Sequence, residues 1–285
     1  MKRYTILIGL ILLLFSCAKK QPEASWLIIN KWDLVENNDA INPQGELTHD
    51  LNQVFLNMDG EALGAFELPA KVPIIGGGSH NFVLLPGIIN NGISATKSRY
   101  PFCKKFETTL HLIKNDTIQV TPTTQYYKDL NFLIEDFESP SMNFTPSSES
   151  QAMLTRNDDP SILEWGNKYG EIILDNSDSV FAARTNFNTV LPKLATEVYL
   201  EIDYRNSNSL LTGVFSSGNG KVYNDPNIQL NPQENPVWKH IYIDLREIIS
   251  FRQSTPINEM TFTAILDELG TTKYVYLDNI KIIYP

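Results

Sequence analysis

Apolar residues along this chain fall mostly into short alternating runs closed by turn residues, which is the pattern of half-buried strands. Leu51 to Asp59 alternates, with Val54, Leu56 and Met58 on one face. Asp59-Gly60 then supplies a tight hairpin turn, because glycine accepts positive φ at little cost. Phe82-Val83-Leu84-Leu85 runs into Pro86-Gly87, and Asn90-Asn91-Gly92 marks another turn. Leu110 and Leu112 are expected to pair with Ile118 and Val120 across Asn115-Asp116. A second block starts near Asn131. There Val198, Leu200, Ile202 and Tyr204 alternate, as do Met260, Phe262, Ala264 and Leu266. Val237 to Leu245 and Tyr274 to Tyr284 read as two more strands, and Leu245, Ile248 and Ile249 give at most one short helix. No stretch has the length and period of a crossover helix, so the pattern predicts an all-β chain. We expect two β-sandwiches, residues 26–125 and 131–285, joined near Tyr126–Leu130.

The start of the chain departs from this pattern. Lys2 and Arg3 precede an unbroken apolar run from Ile6 to Phe15, followed by Ser16 and Cys17. A basic segment, a short apolar core and a small residue read as a secretory signal. The run is about half the ~20 residues needed to cross a bilayer. Leu14-Phe15-Ser16-Cys17 resembles the bacterial lipobox, although Phe15 departs from the small residue usual there. The resemblance implies removal of residues 1–16 as a lipoprotein signal peptide and acylation of Cys17, with residues 17–25 as a lipidated tether. One acyl chain binds membranes only marginally, so a multiply acylated cysteine is what holds such a protein in place. Ala18 follows the cysteine, and the family pattern then favours the outer membrane. The run Ala18-Lys19-Lys20-Gln21-Pro22-Glu23 leaves open whether the protein faces the periplasm or the cell surface.

Composition narrows the partners. Of the 285 residues, 42% are hydrophobic and 20% charged, enough to bury real cores. The 23 Lys and Arg against 33 Asp and Glu give a charge of −10, and losing Lys2 and Arg3 deepens it to −12. That balance argues against nucleic acid, which needs a basic surface. The two cysteines are too few for a disulfide scaffold. With Cys17 acylated, Cys103 has no intramolecular partner and is expected to be buried.

Further motifs carry resemblances. Val54-Phe55-Leu56-Asn57-Met58-Asp59-Gly60, then Leu63-Gly64, Leu68-Pro69, Gly78-Ser79-His80 and Pro86-Gly87, resemble PEGA-type, transthyretin-like modules of envelope proteins. Such modules are mostly spacers or protein-contact domains, which implies no catalysis. Glu135-Asp136-Phe137-Glu138, Trp238-Lys239-His240-Ile241-Tyr242-Ile243-Asp244-Leu245 and Val275-Tyr276-Leu277-Asp278-Asn279-Ile280-Lys281-Ile282 are similar to jelly-roll carbohydrate-binding modules. Together with the lipobox, these features resemble an envelope lipoprotein of the Bacteroidota type.

Candidate chemistry concentrates in the second block. Period-two geometry puts Glu201 and Asp203 on one strand face with Glu197 and Arg205. Some jelly-roll glycoside hydrolases use E-I-D-x-x-E, but here Tyr204-Arg205-Asn206 follows Glu201-Ile202-Asp203, so the final acid is missing. An incomplete acid–nucleophile pair favours a non-enzyme. For glycan capture the candidates are Tyr199, Glu201 and Asp203 on that face, with Trp165, Tyr169 and Tyr223 in loops; Trp238 reads as a core or rim residue. Glu135, Asp136, Glu138 and Asp278 are hard oxygen ligands suited to a structural Ca²⁺ clamping the domain ends, the alternative being ordinary surface acids. The four histidines have no close metal spacing, no G-x-S-x-G occurs, and Gly76-Gly77-Gly78 lacks the rest of a P-loop. The expected function is a non-enzymatic, membrane-anchored accessory subunit that contacts another envelope protein. The alternative is a glycan-binding lipoprotein using the jelly roll, and a glycoside hydrolase ranks third.

Overall fold

The computed structural model describes residues 23–285 apart from Asn188 and Gln253. The expected signal peptide and Cys17 therefore lie outside the described residues. Strands take 52% of the described residues and helix 2%, so the fold is all-β.

The first group of strands is β1 (Ala24–Ile29), β2 (Asp33–Leu34), β3 (Gln53–Met58), β4 (Glu61–Glu67) and β5 (Ala70–Ile75). It continues with β6 (Gly78–Ile89), β7 (Lys97–Arg99), β8 (Phe106–Leu112), β9 (Thr117–Val120) and β10 (Thr123–Thr124). One sheet runs β4-β3-β6-β7, with β8 also on β6; a second runs β5-β1-β9, and β10 pairs β2. Alternation along each strand turns one row inward. Leu27 and Ile29, Val54 and Leu56, Val72 and Ile74, and Phe82 and Leu84 fill the core between the sheets. Asp59 and Gly60, both at positive φ, close the β3–β4 hairpin as their types suggest.

One pairing differs from expectation. Leu110 and Leu112 sit opposite His80 and Gly78 on β6, whereas Ile118 and Val120 run parallel to Leu27 and Ile29 on β1. The turn between β8 and β9 carries the chain from one sheet to the other. Alternation reports which face of a strand is buried, and both partners satisfy it equally.

The second group is β11 (Asn131–Glu135), β12 (Phe144–Pro146), β13 (Leu154–Asn157), β14 (Tyr169–Leu174), β15 (Val180–Thr185) and β16 (Tyr199–Asn206). After these come β17 (Leu210–Gly218), β18 (Lys221–Leu230), β19 (Lys239–Asp244), α1 (Arg246–Phe251), β20 (Ile257–Ile265) and β21 (Lys273–Tyr284). Two antiparallel sheets, β13-β14-β21-β16-β19 with β11 on β21, and β12-β15-β20-β17-β18, form a sandwich. Ile172, Leu200, Ile202, Ile243, Met260, Phe262 and Leu277 belong to its core. The central strand is β21, which pairs with β11, β14 and β16.

No strand of one group enters a sheet of the other; an isolated bridge, Asn90 to Tyr242, is the backbone pairing between them. Side chains do the joining. Tyr199, Tyr242 and Ile283 of the second group are buried in the core cluster of the first, beside Tyr100, Phe102 and Tyr126.

Candidate functional site

Residues Tyr199, Glu201, Asp203 and Arg205 alternate onto the outer face of β16. Neighbouring strands extend each into a row across the sheet. Tyr199 faces Ile283 and Asp244, Glu201 faces Lys281 and Tyr242, and Asp203 faces Asp278 and His240. The register shifts between Glu201 and Asp203, where Asn279 takes positive φ and makes room for the extra residue of a bulge. In the fourth row Arg205 faces Tyr276, Tyr276 faces Glu171, and Glu171 faces Thr155. Trp238, just before β19, extends that row by one residue.

The first strand group covers the Tyr199, Glu201 and Asp203 rows. Glu201 is fully buried and accepts hydrogen bonds from the Tyr100 hydroxyl and, at 3.1 Å, the Tyr126 hydroxyl. Asp203 accepts from His240 Nδ1 at 2.7 Å and from Asn279 Nδ2 at 3.1 Å. His240 Nε2 lies 3.6 Å from Glu201 Oε2, an ion-pair distance rather than a direct hydrogen bond. Burial alone would lower the His240 pKa, but Asp203 and then Glu201 outweigh it and push it up to about 9. Burial also opposes the charge on Glu201, yet His240 and Lys281 hold its carboxyl below the ordinary value. Lys281, fully buried, reaches across to donate to the Glu46 carbonyl. The Asp50 N–H donates to Tyr242 Oη at 3.0 Å, and the Asp244 N–H to Asn91 Oδ1 at 2.8 Å.

This closure corrects the glycan assignment of three sequence candidates. Tyr199, Glu201 and Asp203 are 2%, 0% and 1% exposed. They are committed to the junction, Glu201 to Tyr100 and Tyr126 and Asp203 to His240 and Asn279, and offer no open face for a sugar to lie on. The same closure leaves the Glu201 carboxylate occupied by the Tyr100 and Tyr126 hydroxyls. Cys103 is buried beside this junction, where burial and Glu201 push its thiol well above the ordinary value.

The calcium set does not converge. The two oxygens of Glu135 accept the Phe137 and Asn143 N–H groups, stapling the turn after β11. Glu138 accepts the Asn167 and Lys168 N–H groups, and Asp136 accepts that of Glu138. Asp136, Glu138 and Asp278 line one cleft of about 320 Å³ with Trp165. Among the described residues, however, no three ligating side chains come close enough to hold a metal ion. These acids bond mainly to backbone donors. Burial raises the Asp278 carboxyl to about 8, with Asp203, Asp136 and Glu138 adding to the rise.

Beyond the junction, Arg205, Glu171, Trp165, Trp238 and Tyr274 are partly exposed. Aromatic rings form a continuous path across this half of the sheet. Ring centroids lie 5.6 Å apart for Trp165–Trp238, 6.3 Å for Trp238–Tyr169, 5.3 Å for Tyr169–Tyr276 and 4.5 Å for Tyr276–Tyr274. Trp165, Trp238 and Tyr274 offer the accessible rings of this path, while Tyr169 and Tyr276 between them are buried, at 0% and 8% exposure. Trp238 is fixed by donation of its Nε1–H to the Ile162 carbonyl. At one end the path enters a cleft of about 470 Å³ lined by Trp165, Trp238, His49, Asp50, Asp203 and His240. His49 Nδ1 accepts the Leu51 N–H at 3.3 Å, which leaves the ring proton on Nε2 as a donor. Burial, then the neighbouring His240, lowers the pKa of His49 and keeps it neutral. Of the sequence candidates, Trp165 is therefore brought to an accessible aromatic site. Trp238, Tyr276, Tyr274 and Glu171 complete it without having been singled out as ligand groups.

A scan of protein-family models and a search of curated protein sequences each returned no match to this chain. Solved structures with some likeness include one from work on the promiscuous specificity of carbohydrate-binding modules of the β-sandwich superfamily. It has 13% identity over 81% of this chain and 84% of that one, with a TM-score of 0.39. The family 30 carbohydrate-binding module of a cellulosomal cellulase of Clostridium thermocellum has 14% identity over 53% of this chain and 96% of its own, with a TM-score of 0.37. The family 11 module from the same organism, in complex with a β-1,3-1,4-mixed-linked tetrasaccharide, has 15% identity over 54% and 94%, with a TM-score of 0.34. All three scores lie below 0.5.

Proposed function

We propose that this protein binds a carbohydrate chain on the open half of the β13-β14-β21-β16-β19 sheet, without catalysis. The carrying observation is the run of aromatic rings from Trp165 to Tyr274, set among Glu171, Arg205, His49 and Asp50. Sugar rings present apolar C–H faces to aromatic rings and hydroxyls to charged or amide groups beside them, and this surface offers both. The first sandwich acts as a fixed cap that supplies one wall of the cleft, His49 and Asp50. The signal-like start extends the proposal: acylation at Cys17 would hold the binding surface at the outer membrane, in keeping with a Bacteroidota-type lipoprotein and a PEGA-like first sandwich. Partition of the mature protein into detergent, lost in Cys17→Ser, tests the anchor.

A glycan array with the whole chain, followed by titration against the best ligand, tests the binding. Trp238→Ala is expected to weaken the interaction about tenfold or more, the loss of one well-placed aromatic contact. Unchanged binding in Trp238→Ala, or no glycan bound by the native chain, would refute the reading.

A further inference from the structure

Arg205 stands apart from the other arginines of the second sandwich. Arg184 pairs with Glu259, Arg246 with Asp244 and Glu197, and Arg252 with Asp225, while Arg156 donates to the Phe137 and Glu138 carbonyls. Arg205 is half-buried, and its Nε is fully buried without a hydrogen-bond partner. Among the described residues its guanidinium has no carboxylate within 4.0 Å. In a chain with 33 acidic residues against 23 basic ones, an unpaired guanidinium in a folded sheet is conspicuous. A buried donor left unmade costs stability, so such a group calls for an explanation.

The acids closest to it along the sheet are already engaged. Asp203 is held by His240 and Asn279, and Glu171 accepts from Asn157 Nδ2 at 2.9 Å. Asp278, raised to about 8, is largely neutral at pH 7. Tyr276 faces Arg205 from β21, and Trp238 lies just before β19 on its other side. Nearby, the Tyr169 hydroxyl is also buried without a partner, on a residue with 0% exposure. Because Nε is sealed from solvent, only the two terminal nitrogens of this half-buried side chain can meet a ligand, and end-on they can donate two parallel hydrogen bonds to a planar or tetrahedral oxyanion.

We infer that the glycan bound by the open half is acidic, and that Arg205 receives its oxyanion, a uronate carboxylate or a sulfate ester. This rests on the carbohydrate-binding reading and names the class of sugar. A neutral chain would leave the guanidinium unpaired beneath it, whereas an acidic sugar stacked on the partly exposed Trp238 brings its charge to the one unpartnered cation of the row.

The test is affinity electrophoresis and calorimetry of the whole chain. The probes are polygalacturonate, its methyl-esterified form, a sulfated galactan, an unsulfated galactan and poly-glutamate. Wild type is expected to bind polygalacturonate or the sulfated galactan about tenfold or more tighter than the matched uncharged polymer, the worth of one charge-assisted contact. Arg205→Met should erase that preference, and Arg205→Lys, which keeps the charge but not the fork, should keep only part of it. The two acidic polymers separate a carboxylate from a sulfate. Esterification removes the charge from the ligand alone, so it decides the matter even if Arg205→Met fails to fold. Equal binding of charged and uncharged polymers, a preference that survives Arg205→Met, or equal competition by poly-glutamate would overturn the inference. Should neutral glycans bind through Trp238 with no gain from charge, only the Arg205 inference falls. If no polymer binds at all, the carbohydrate reading falls with it.

Discussion

Glu201 and Arg205 lie on the same face of β16, one a buried acid with four charged or hydroxyl partners, the other a half-buried base with none. The difference comes from what packs above them. Tyr100 and Tyr126 of the first sandwich descend on Glu201, and the covering ends before the Arg205 row. One strand face therefore splits into a half that joins two sandwiches and a half free to meet a ligand. Charge on a strand face does not by itself mark a binding surface. Whether the charge already has a partner does.

Removing the carboxylate tests this contrast hardest. Glu201→Ala leaves two buried tyrosine hydroxyls without their acceptor and the His240 and Lys281 cations without a nearby counter-charge, and should cost about 3–5 kcal/mol of stability in a denaturant titration. A loss below about 1 kcal/mol, the scale of an exposed pair, would mean that the junction is wetter than described.

A smaller effect separates the junction by pH. His240 titrates near 6.5 when unfolded and about 9 when folded. Its contribution is therefore complete below pH 6.5 and is lost as pH rises through 9. Asp278 has the same sign: its carboxyl ionises near 3.8 unfolded and about 8 folded, so stability declines as pH rises from 3.8 to 8. Asp278→Asn should flatten the decline over that interval and raise stability at pH 8 by roughly 2–4 kcal/mol. A melting temperature at pH 8 no higher than that of wild type would show that Asp278 is ionised and partnered. The smallest effect belongs to the open half. Thr155→Ala, at the exposed end of the Arg205 row, should change stability by about 0.5 kcal/mol or less, measured in the same titration.

Much of the second sandwich was legible from alternation. Val198 to Tyr204, Met260 to Leu266 and Tyr274 to Tyr284 all fall within or beside strands with the expected inward rows. The pairing of β8 and β9 was not, because two sheets of the same sandwich offer equivalent apolar partners. Tyr199, Glu201 and Asp203 were correctly set on one face, yet nothing local to β16 announces that Tyr100 and Tyr126, some 75 to 101 residues earlier, will cover it. Trp165 was legible as a loop aromatic. Arg205 was noticed only as a neighbour of Glu201, since a sequence does not reveal that an arginine lacks a counter-charge.

The place of β21 has a consequence for how the chain reaches this state. It is the last strand along the sequence, yet three earlier strands need it: β11, β14 and β16 all pair with it. Until it emerges, their edges stay unpaired and Glu201 lacks Lys281. Such late, long-range closure is slow and leaves edges exposed to wrong partners. Synthesis and closure are thereby separated in time: whatever the earlier strands do first, the sheet stays incomplete until β21 is present.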